Sequence, residues 1–341
     1  MRQVVMTALV LVLLIFLIPL AVFRGGGEGA EGAGAEESPG GLPLDRTVVS
    51  EAPTADAGRQ VRVLLGDGSV LTLGMDKYLW RVVAAEMPAS FEEEALKAQA
   101  VAARTYTASR MGHTVEAHPQ ADVCTDITCC QAYIDPAQAA ANWGESAETY
   151  TAKITSAVTA TDGLIATYDG EPIQAVFFSS AAGRTVDAVE VWGTSVPYLT
   201  GVDSPEGEEV PNWHSSLTLT PEEFREKFLA AWPGAALEGD PSGWFQNVVN
   251  NSAGGVESID VGGVTVSGMD LRTLLELRSA NFTVAATAEQ IVFSVTGYGH
   301  GVGMSQYGAN AMAQAGSGWR EILTHYYTGI TIQPWEGDAA A

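Results

Sequence analysis

Two groups of residues in this sequence have types and spacing suited to chemistry. The first centres on Glu86, within residues 78–106, YLWRVVAAEMPASFEEEALKAQAVAARTY. Leu79, Val82, Val83 and Glu86 recur at helical spacing, so the carboxylate shares the face that the apolar side chains define. Pro88 disfavours helical geometry at Met87, which places Glu86 in the last turn of its helix. There the carbonyl end of the helix dipole is negative and an apolar surround opposes ionisation, and both effects raise a carboxyl pKa. An acid tuned upward in this way suits general acid catalysis near neutral pH. The bland reading is an acid hydrogen-bonded to nearby backbone. A two-carboxylate hydrolase needs a second acid across the scissile bond. Asp187, Glu190 and Asp203 are candidates, and nothing in the pattern ranks them. The second group is His118, Cys124 and Cys130, with Cys129 beside the last. An imidazole and two thiolates are good zinc ligands, although the spacing is looser than that of a zinc-finger pair. A disulfide from Cys124 to Cys129 or Cys130 explains the pattern equally well in an oxidising compartment.

Further residues suit binding rather than bond breaking. Lys97, Arg104 and Arg184 are basic residues among small and apolar neighbours, placed either as snorkelling side chains or as a carboxylate-binding site. Trp192, Tyr198, Tyr298 and Tyr307 sit in Gly- or Ser-rich stretches, where aromatic rings line grooves or anchor cores. His300 reads as a hydrogen-bonded loop residue, since no partner has metal-ligand spacing.

These residues must be positioned by a sizeable fold, and 341 residues suffice for one. The segment 78–106 reads as two helices joined at a corner, the second over 92–110 with Ser90 and Glu93 as its capping box. Hairpins are expected over 61–73 and over 164–178, a helix over 145–160, and another over 221–232 capped by Thr220. Residues 179–203 read as loop, and 256–295 as short strands with one helix over 268–277. Near the C-terminus a strand runs into Gly297-Tyr298-Gly299-His300-Gly301-Val302-Gly303, and a helix starts near Ser305. The glycine spacing does not match a dinucleotide fingerprint, so these glycines are assigned to tight turning and close approach to a ligand. The fold class expected is α+β, with helices and short antiparallel hairpins in one extracytoplasmic unit preceded by a single transmembrane helix.

A net charge of −24 argues against a nucleic-acid partner. The apolar run 4–23 is long enough to cross a bilayer, and no small-residue cleavage site closes it, so an uncleaved anchor is preferred to a signal peptide. Residues 1–24 are read as a cytoplasmic stub and anchor, 25–59 as a flexible acidic tether, 60–334 as the catalytic domain, and 335–341 as a tail. The protein is thus expected at the cell membrane, single-pass, with its bulk outside the cytoplasm.

The long motifs together resemble the SpoIID/LytB family. They are the segment 78–106, ADVCTDITCCQAY, AVFFSSAAGRT with VWGTSVPYL, and GYGHGVGMSQYGANAMA with ILTHYYTGI, in that family's order over 60–334. The resemblance implies a peptidoglycan lytic transglycosylase acting on glycan strands stripped of their stem peptides, with Glu86 as catalytic acid. Such a reaction needs no second carboxylate, because the sugar's own C6 hydroxyl closes an anhydro ring. It further implies zinc held by His118, Cys124 and Cys130. It implies a glycan site drawn from Lys97, Arg104, Tyr106, Ser179, Ser180, Trp192, Tyr198, His300, Ser305, Gln306 and Tyr307. The muramic lactyl carboxylates are expected to meet Arg104 and Lys97. The implied partners are denuded peptidoglycan, a cell-wall amidase and a membrane scaffold protein at the engulfing sporulation septum. Relatives regarded as amidase enhancers imply a non-catalytic alternative, and a hydrolytic muramidase is another. Two departures from the family pattern stand out: a cysteine at 129, and Ser180-Ala181-Ala182-Gly183 where Ser-Gly-Gly is usual.

Overall fold

The computed structural model describes residues 54–337. The apolar run 4–23 and the tether as far as residue 53 lie outside the described residues. No helix among the described residues is long and apolar enough to cross a membrane.

The architecture is α+β. Strands β1 (Gln60–Leu64) and β2 (Val70–Gly74) form the expected antiparallel hairpin, with Leu64 opposite Val70. Helix α1 (Met75–Glu86) follows at once and ends at Met87, whose extended conformation is the one that Pro88 requires. Helix α2 (Glu93–Arg110) leaves the corner in a new direction. Its start differs from expectation: Glu92 is the N-cap residue and there is no Ser90–Glu93 capping box. The Glu92 backbone N–H is taken instead by the side chain of Asn310, 218 residues away, so a tertiary contact replaces the local cap.

The run of small residues in α2 lets neighbours pack on all sides of it. Ala95, Ala98, Ala100, Ala102 and Ala103 are buried, and the helix is enclosed by α1, by α4 (Ala147–Ala160), by β4 (Leu164–Tyr168), and by α8 (Gln306–Gln314) and α9 (Trp319–Tyr326). Between α2 and α4 lie β3 (Val123–Cys124), which extends the first sheet by pairing parallel to β1, and α3 (Pro136–Trp143), which starts at an Asp135 cap. The hairpin expected over 164–178 is shorter than its pattern. β4 pairs with β5 (Glu171–Pro172) on one side and with the C-terminal β14 (Thr331–Pro334) on the other. Residues 177–178 instead form β6, parallel to β13 (Met304–Ser305). Pairs so far apart in sequence leave no local signature.

Between β6 and β13 the chain makes a short helix α5 (Ala188–Trp192) and then an insertion with a core of its own. The insertion contains β7 (His214–Leu219), α6 (Pro221–Ala231), β8 (Phe245–Asn250), β9 (Val256–Val261), β10 (Val264–Ser267), α7 (Gly268–Leu275), β11 (Phe282–Ala286) and β12 (Ile291–Thr296). Its strands form two three-stranded sheets, ordered β10-β9-β8 and β11-β12-β7. Phe224, Phe228 and Phe293 are fully buried at its centre, and Thr220 caps α6 as expected, through a capping box with Glu223.

Two boundaries move. Asp56, placed in the tether by composition, is buried, and Trp335, placed in the tail, carries the Arg59 guanidinium 4.6 Å above its ring. The cause at Asp56 is Arg104. Its guanidinium is fully buried in the centre of the body, with Nε 2.9 Å and Nη2 2.6 Å from Asp56 Oδ2, and Nη1 donates to the Leu164 carbonyl at 3.1 Å. Arg104 therefore lies in the core and does not face a ligand. Its apolar surround demands a carboxylate, and the chain before β1 supplies it. Arg104→Leu is expected to strand Asp56 as an unpaired buried acid and to cost about 3–5 kcal/mol in urea unfolding. The double variant Arg104→Leu/Asp56→Leu should recover a large part of that loss.

Candidate active site and thiol cluster

Glu86 is the last residue of α1, half-buried where α1 turns into the Pro88 corner. Burial pushes its carboxyl pKa up, and two hydrogen bonds to its oxygens pull in the other direction without cancelling that rise. The Ala132 N–H donates to Oε1 at 2.7 Å, and the Gln306 side-chain amide donates to Oε2 at 3.0 Å. The carboxyl group is thus oriented from two sides, and it is held partway between a free acid and a paired carboxylate. The helix dipole invoked from sequence is not needed for this result; desolvation is the largest cause.

Each donor is presented by a structure of its own. Gln306 is the first residue of α8, whose N-cap is Ser305; the Ser305 hydroxyl accepts from the Gly308 N–H at 3.2 Å. The same hydroxyl donates to the carboxylate of Glu206, which is buried and also accepts from the Ala181 N–H and the Ser204 hydroxyl, each at 2.6 Å. The Ser204 hydroxyl continues to Tyr326 at 2.7 Å. No cation among the described residues pairs with Glu206; three donors from separate segments satisfy it. A Cβ at Gly308 would collide with the Tyr326, Ser204 and Glu206 side chains, so only glycine fits where α8 starts. Glu206 escaped the sequence reading because it precedes the exposed Glu208 and Glu209 in an acidic stretch with no periodicity.

The alternating glycines 297, 299, 301 and 303 all have positive φ. They approach the protein's own chain, which corrects the expectation of a ligand: a Cβ at Gly297 would meet the Ser180 carbonyl, and one at Gly303 the Val176 carbonyl. The run is thereby laid along 176–181. Ser180 and Tyr298 exchange backbone hydrogen bonds at 3.0 and 2.8 Å, and the Tyr307 N–H reaches the Ser179 carbonyl at 3.0 Å. His300 belongs to the same seam. Its Nε2 faces the Phe177 carbonyl at 3.1 Å and its Nδ1 accepts from the Val302 N–H at 3.2 Å; burial pushes its pKa down to about 4. The ring is neutral and is a hydrogen-bonded loop residue, as its sequence context suggested. Trp192, largely exposed, stands against it with ring centroids 5.8 Å apart.

The second donor, Ala132, lies two residues beyond the thiol cluster. His118 and Cys124, Cys129 and Cys130 place one ligand atom each within 4.8 Å of one another. All three cysteines are free. His118 is fully buried, with Nδ1 3.0 Å from the Ala121 carbonyl and Nε2 3.3 Å from Cys130 Sγ. An Nδ1–H held by a carbonyl leaves the Nε2 lone pair facing the sulfurs, the arrangement usual for a metal-bound histidine. The donor set fits a metal ion, and it is one thiol larger than the set expected, since Cys129 joins the cluster.

A family model described as stage II sporulation protein, SpoIID, matches residues 67–168, which include Glu86 and the whole cluster. The chain is 35% identical to stage II sporulation protein D of Bacillus subtilis (strain 168), over 99% of this chain and 97% of that protein. The chain belongs to the SpoIID family. It is 37% identical to stage II sporulation protein D of Bacillus amyloliquefaciens over 77% of this chain and 75% of that one. It is also 30% identical to an amidase enhancer of Bacillus subtilis (strain 168), covering 74% of this chain and 39% of that longer protein.

Among the residues that the family resemblance marked as a glycan site, the structure gathers Ser179, Ser180, His300, Ser305, Gln306 and Tyr307 along one seam beside Glu86. Four others lie apart from it. Arg104 is in the core. Tyr106 is buried with its hydroxyl on the Cys129 carbonyl at 3.1 Å, so it supports the cluster loop. Lys97 is held within its own helix by Glu93 at 3.1 Å and Glu94 at 2.8 Å. Tyr198 packs at a tilt against Tyr168 and its hydroxyl takes the Gln174 N–H, a packing role. The candidate second acids are likewise engaged: Asp187 with the Gly201 N–H, Glu190 with Ser252, and Asp203 with Arg184. Replacing Gln306 by Ala removes a donor to the ionised form of Glu86, so the Glu86 carboxyl should titrate at still higher pH. Side-chain carboxyl NMR of the full chain checks the direction, and a downward move would show that Gln306 does not stabilise the carboxylate.

Proposed function

We propose that this SpoIID family protein is a lytic transglycosylase of peptide-free peptidoglycan, with Glu86 as its single acid and base. The observation that carries the reading is the Glu86 carboxyl group, raised by burial and aimed by two donors, with the rival acids occupied elsewhere. Protonated, Glu86 gives its proton to the glycosidic oxygen as the C1–O bond breaks. The carboxylate left behind accepts the proton of the C6 hydroxyl, whose oxygen bonds to C1 and closes the anhydro ring. Water takes no part, and the two proton transfers return Glu86 to its starting state. The donors from Ala132 and Gln306 stabilise the intermediate carboxylate without trapping it.

The resemblance and the family support a sporulation role at the cell wall, with the 4–23 run as anchor and the body outside the cytoplasm. They support a partnership with an amidase that supplies stripped strands and with a membrane scaffold. The cluster is proposed to hold zinc through His118 Nε2 and the thiolates of Cys124, Cys129 and Cys130. With four protein donors the bound ion would be structural, and it would pin the loop that ends in Ala132. The likeness to an amidase enhancer favours a second reading, in which the chain binds glycan and stimulates a partner without cleaving.

Purified full chain incubated with amidase-treated glycan should release anhydro-ended fragments, detected by mass spectrometry. Reducing ends would mean hydrolysis by water, and binding without products would mean an enhancer. Glu86→Gln should lower turnover at least about 100-fold, and full retention of activity would remove Glu86 from the mechanism. In the wild type, cleavage should fall as pH rises through the Glu86 pKa, because the acid form starts the reaction.

Elemental analysis is expected to find one zinc per chain, with free thiols titratable only after chelation. Zinc absent with Cys124 oxidised would overturn the metal assignment. Chelated protein should keep its far-UV dichroism while losing turnover, since the Ala132 donor would no longer be held in place.

A further inference from the structure

The glycan proposed as substrate is a polyanion, and the protein carries a net charge of −24. Once a stem peptide is removed, each muramic acid exposes a lactyl carboxylate; while the peptide is attached, that group is a neutral amide. A chain that repels anions overall and yet prefers stripped strands needs a local cation to meet this group. The basic residues that the sequence offered for the task are spent: Arg104 on Asp56, Lys97 on Glu93 and Glu94, and Arg184 on Asp203.

A different cation fits. Arg278 follows α7 in the insertion and is half-buried. Its guanidinium lies 4.1 Å from the centroid of the Tyr298 ring, and Tyr298 is 44% exposed within the glycine run. It forms no ion pair among the described residues, and its Nε is enclosed without an acceptor. Tyr298 is bonded through its backbone to Ser180, and Ser179 to Tyr307, the residue after the Glu86-binding Gln306. The positive charge of Arg278 reaches the Tyr307 phenol, where it offsets part of the effect of burial. Arg272 lies behind: its Nε donates to the Arg278 carbonyl at 3.3 Å, and it too forms no ion pair among the described residues. Arg59 lies over Trp335 and Arg110 over Tyr106, outside this seam, and Arg81 lies over Tyr133 with its Nη1 on the Lys77 carbonyl.

We propose that Arg278, backed by the charge of Arg272, binds the free lactyl carboxylate of a peptide-stripped muramic acid, and so distinguishes denuded strands from peptide-bearing ones. A planar guanidinium fixed over an aromatic ring offers paired donors to a carboxylate, while the exposed Tyr298 edge remains beside the sugar. An amide in place of the carboxylate withdraws the charge that Arg278 answers. The inference rests on the glycan reading above but not on cleavage.

The test measures binding, in the full chain carrying Glu86→Gln to suppress turnover. The probes are peptide-free glycan and the same glycan with its lactyl carboxylates converted to methylamides. The parent should bind the free-acid strands about tenfold more tightly than the amidated ones, the size expected for a hydrogen bond to a charged group. Arg278→Gln should abolish the ratio by weakening binding of the acid form alone, and Arg278→Lys should keep part of it. If Arg278→Gln weakens both glycans equally and leaves the ratio intact, Arg278 only braces Tyr298 and the proposal fails. Should Arg278→Gln not fold, Arg278→Lys decides: an unchanged ratio overturns the proposal and a reduced one supports it. A parent that binds neither glycan overturns the glycan reading itself, a different result from binding that ignores the carboxylate.

Discussion

The Glu86 carboxyl group is held by two donors that come from 46 and 220 residues away in the chain, and the architecture around it serves to present them. Burial alone would leave a carboxyl group that resists ionisation. Hydrogen bonds alone would give a carboxylate that holds no proton. The two influences oppose each other at one side chain, which is the condition for a group that must give up a proton and take one back. That balance requires the Ala132 N–H and the Gln306 amide to stay in place while Glu86 remains screened from water.

Each donor is therefore backed by a polar construction buried deeper than itself. Behind Gln306 stand the Ser305 cap and the Glu206 carboxylate, the latter satisfied by hydroxyls and an N–H with no cation among the described residues. Buried polar networks are stiff because any departure leaves a group unsatisfied in a low-dielectric surround. Behind Ala132 stands the loop with His118 and three thiols, pinned at one end where β3 pairs with β1 and at the other by Gln131, whose amide reaches the Tyr78 hydroxyl at 3.2 Å. The glycine run serves the Gln306 side. Its left-handed residues let residues 297–303 lie against 176–181, which delivers the chain to Ser305 in the right place.

The buried Arg104–Asp56 pair shows how composition misleads at a domain edge. Residues 25–59 are rich in Gly, Ala, Glu and Pro, and the stretch reads as tether to its end. A guanidinium with no exposure cannot remain without a counter-charge, and it draws Asp56 and its neighbours into the body. The same arginine looked available to a ligand because helical spacing does not reveal that α2 is enclosed on every side. Lys97 is taken within its own helix, by Glu93 and Glu94 one turn earlier, so its charge too is not free for a ligand.

What the sequence determined by itself is local and periodic. It gave α1 its end at Pro88, Glu86 its apolar face, α6 its Thr220 cap and α8 its start at Ser305, because each rests on spacing or dihedral preference within a few residues. It also grouped His118, Cys124 and Cys130 as candidate zinc ligands with a disulfide equally open, and the tertiary structure adds Cys129 to the same cluster. Tertiary structure alone decided which donors meet Glu86, that Glu206 is buried, that β6 pairs with β13, and that Arg278 rather than Arg104 stands free beside the seam. Those outcomes depend on contacts across tens to hundreds of residues, where pattern carries no information and where desolvation and hydrogen-bond satisfaction set the result.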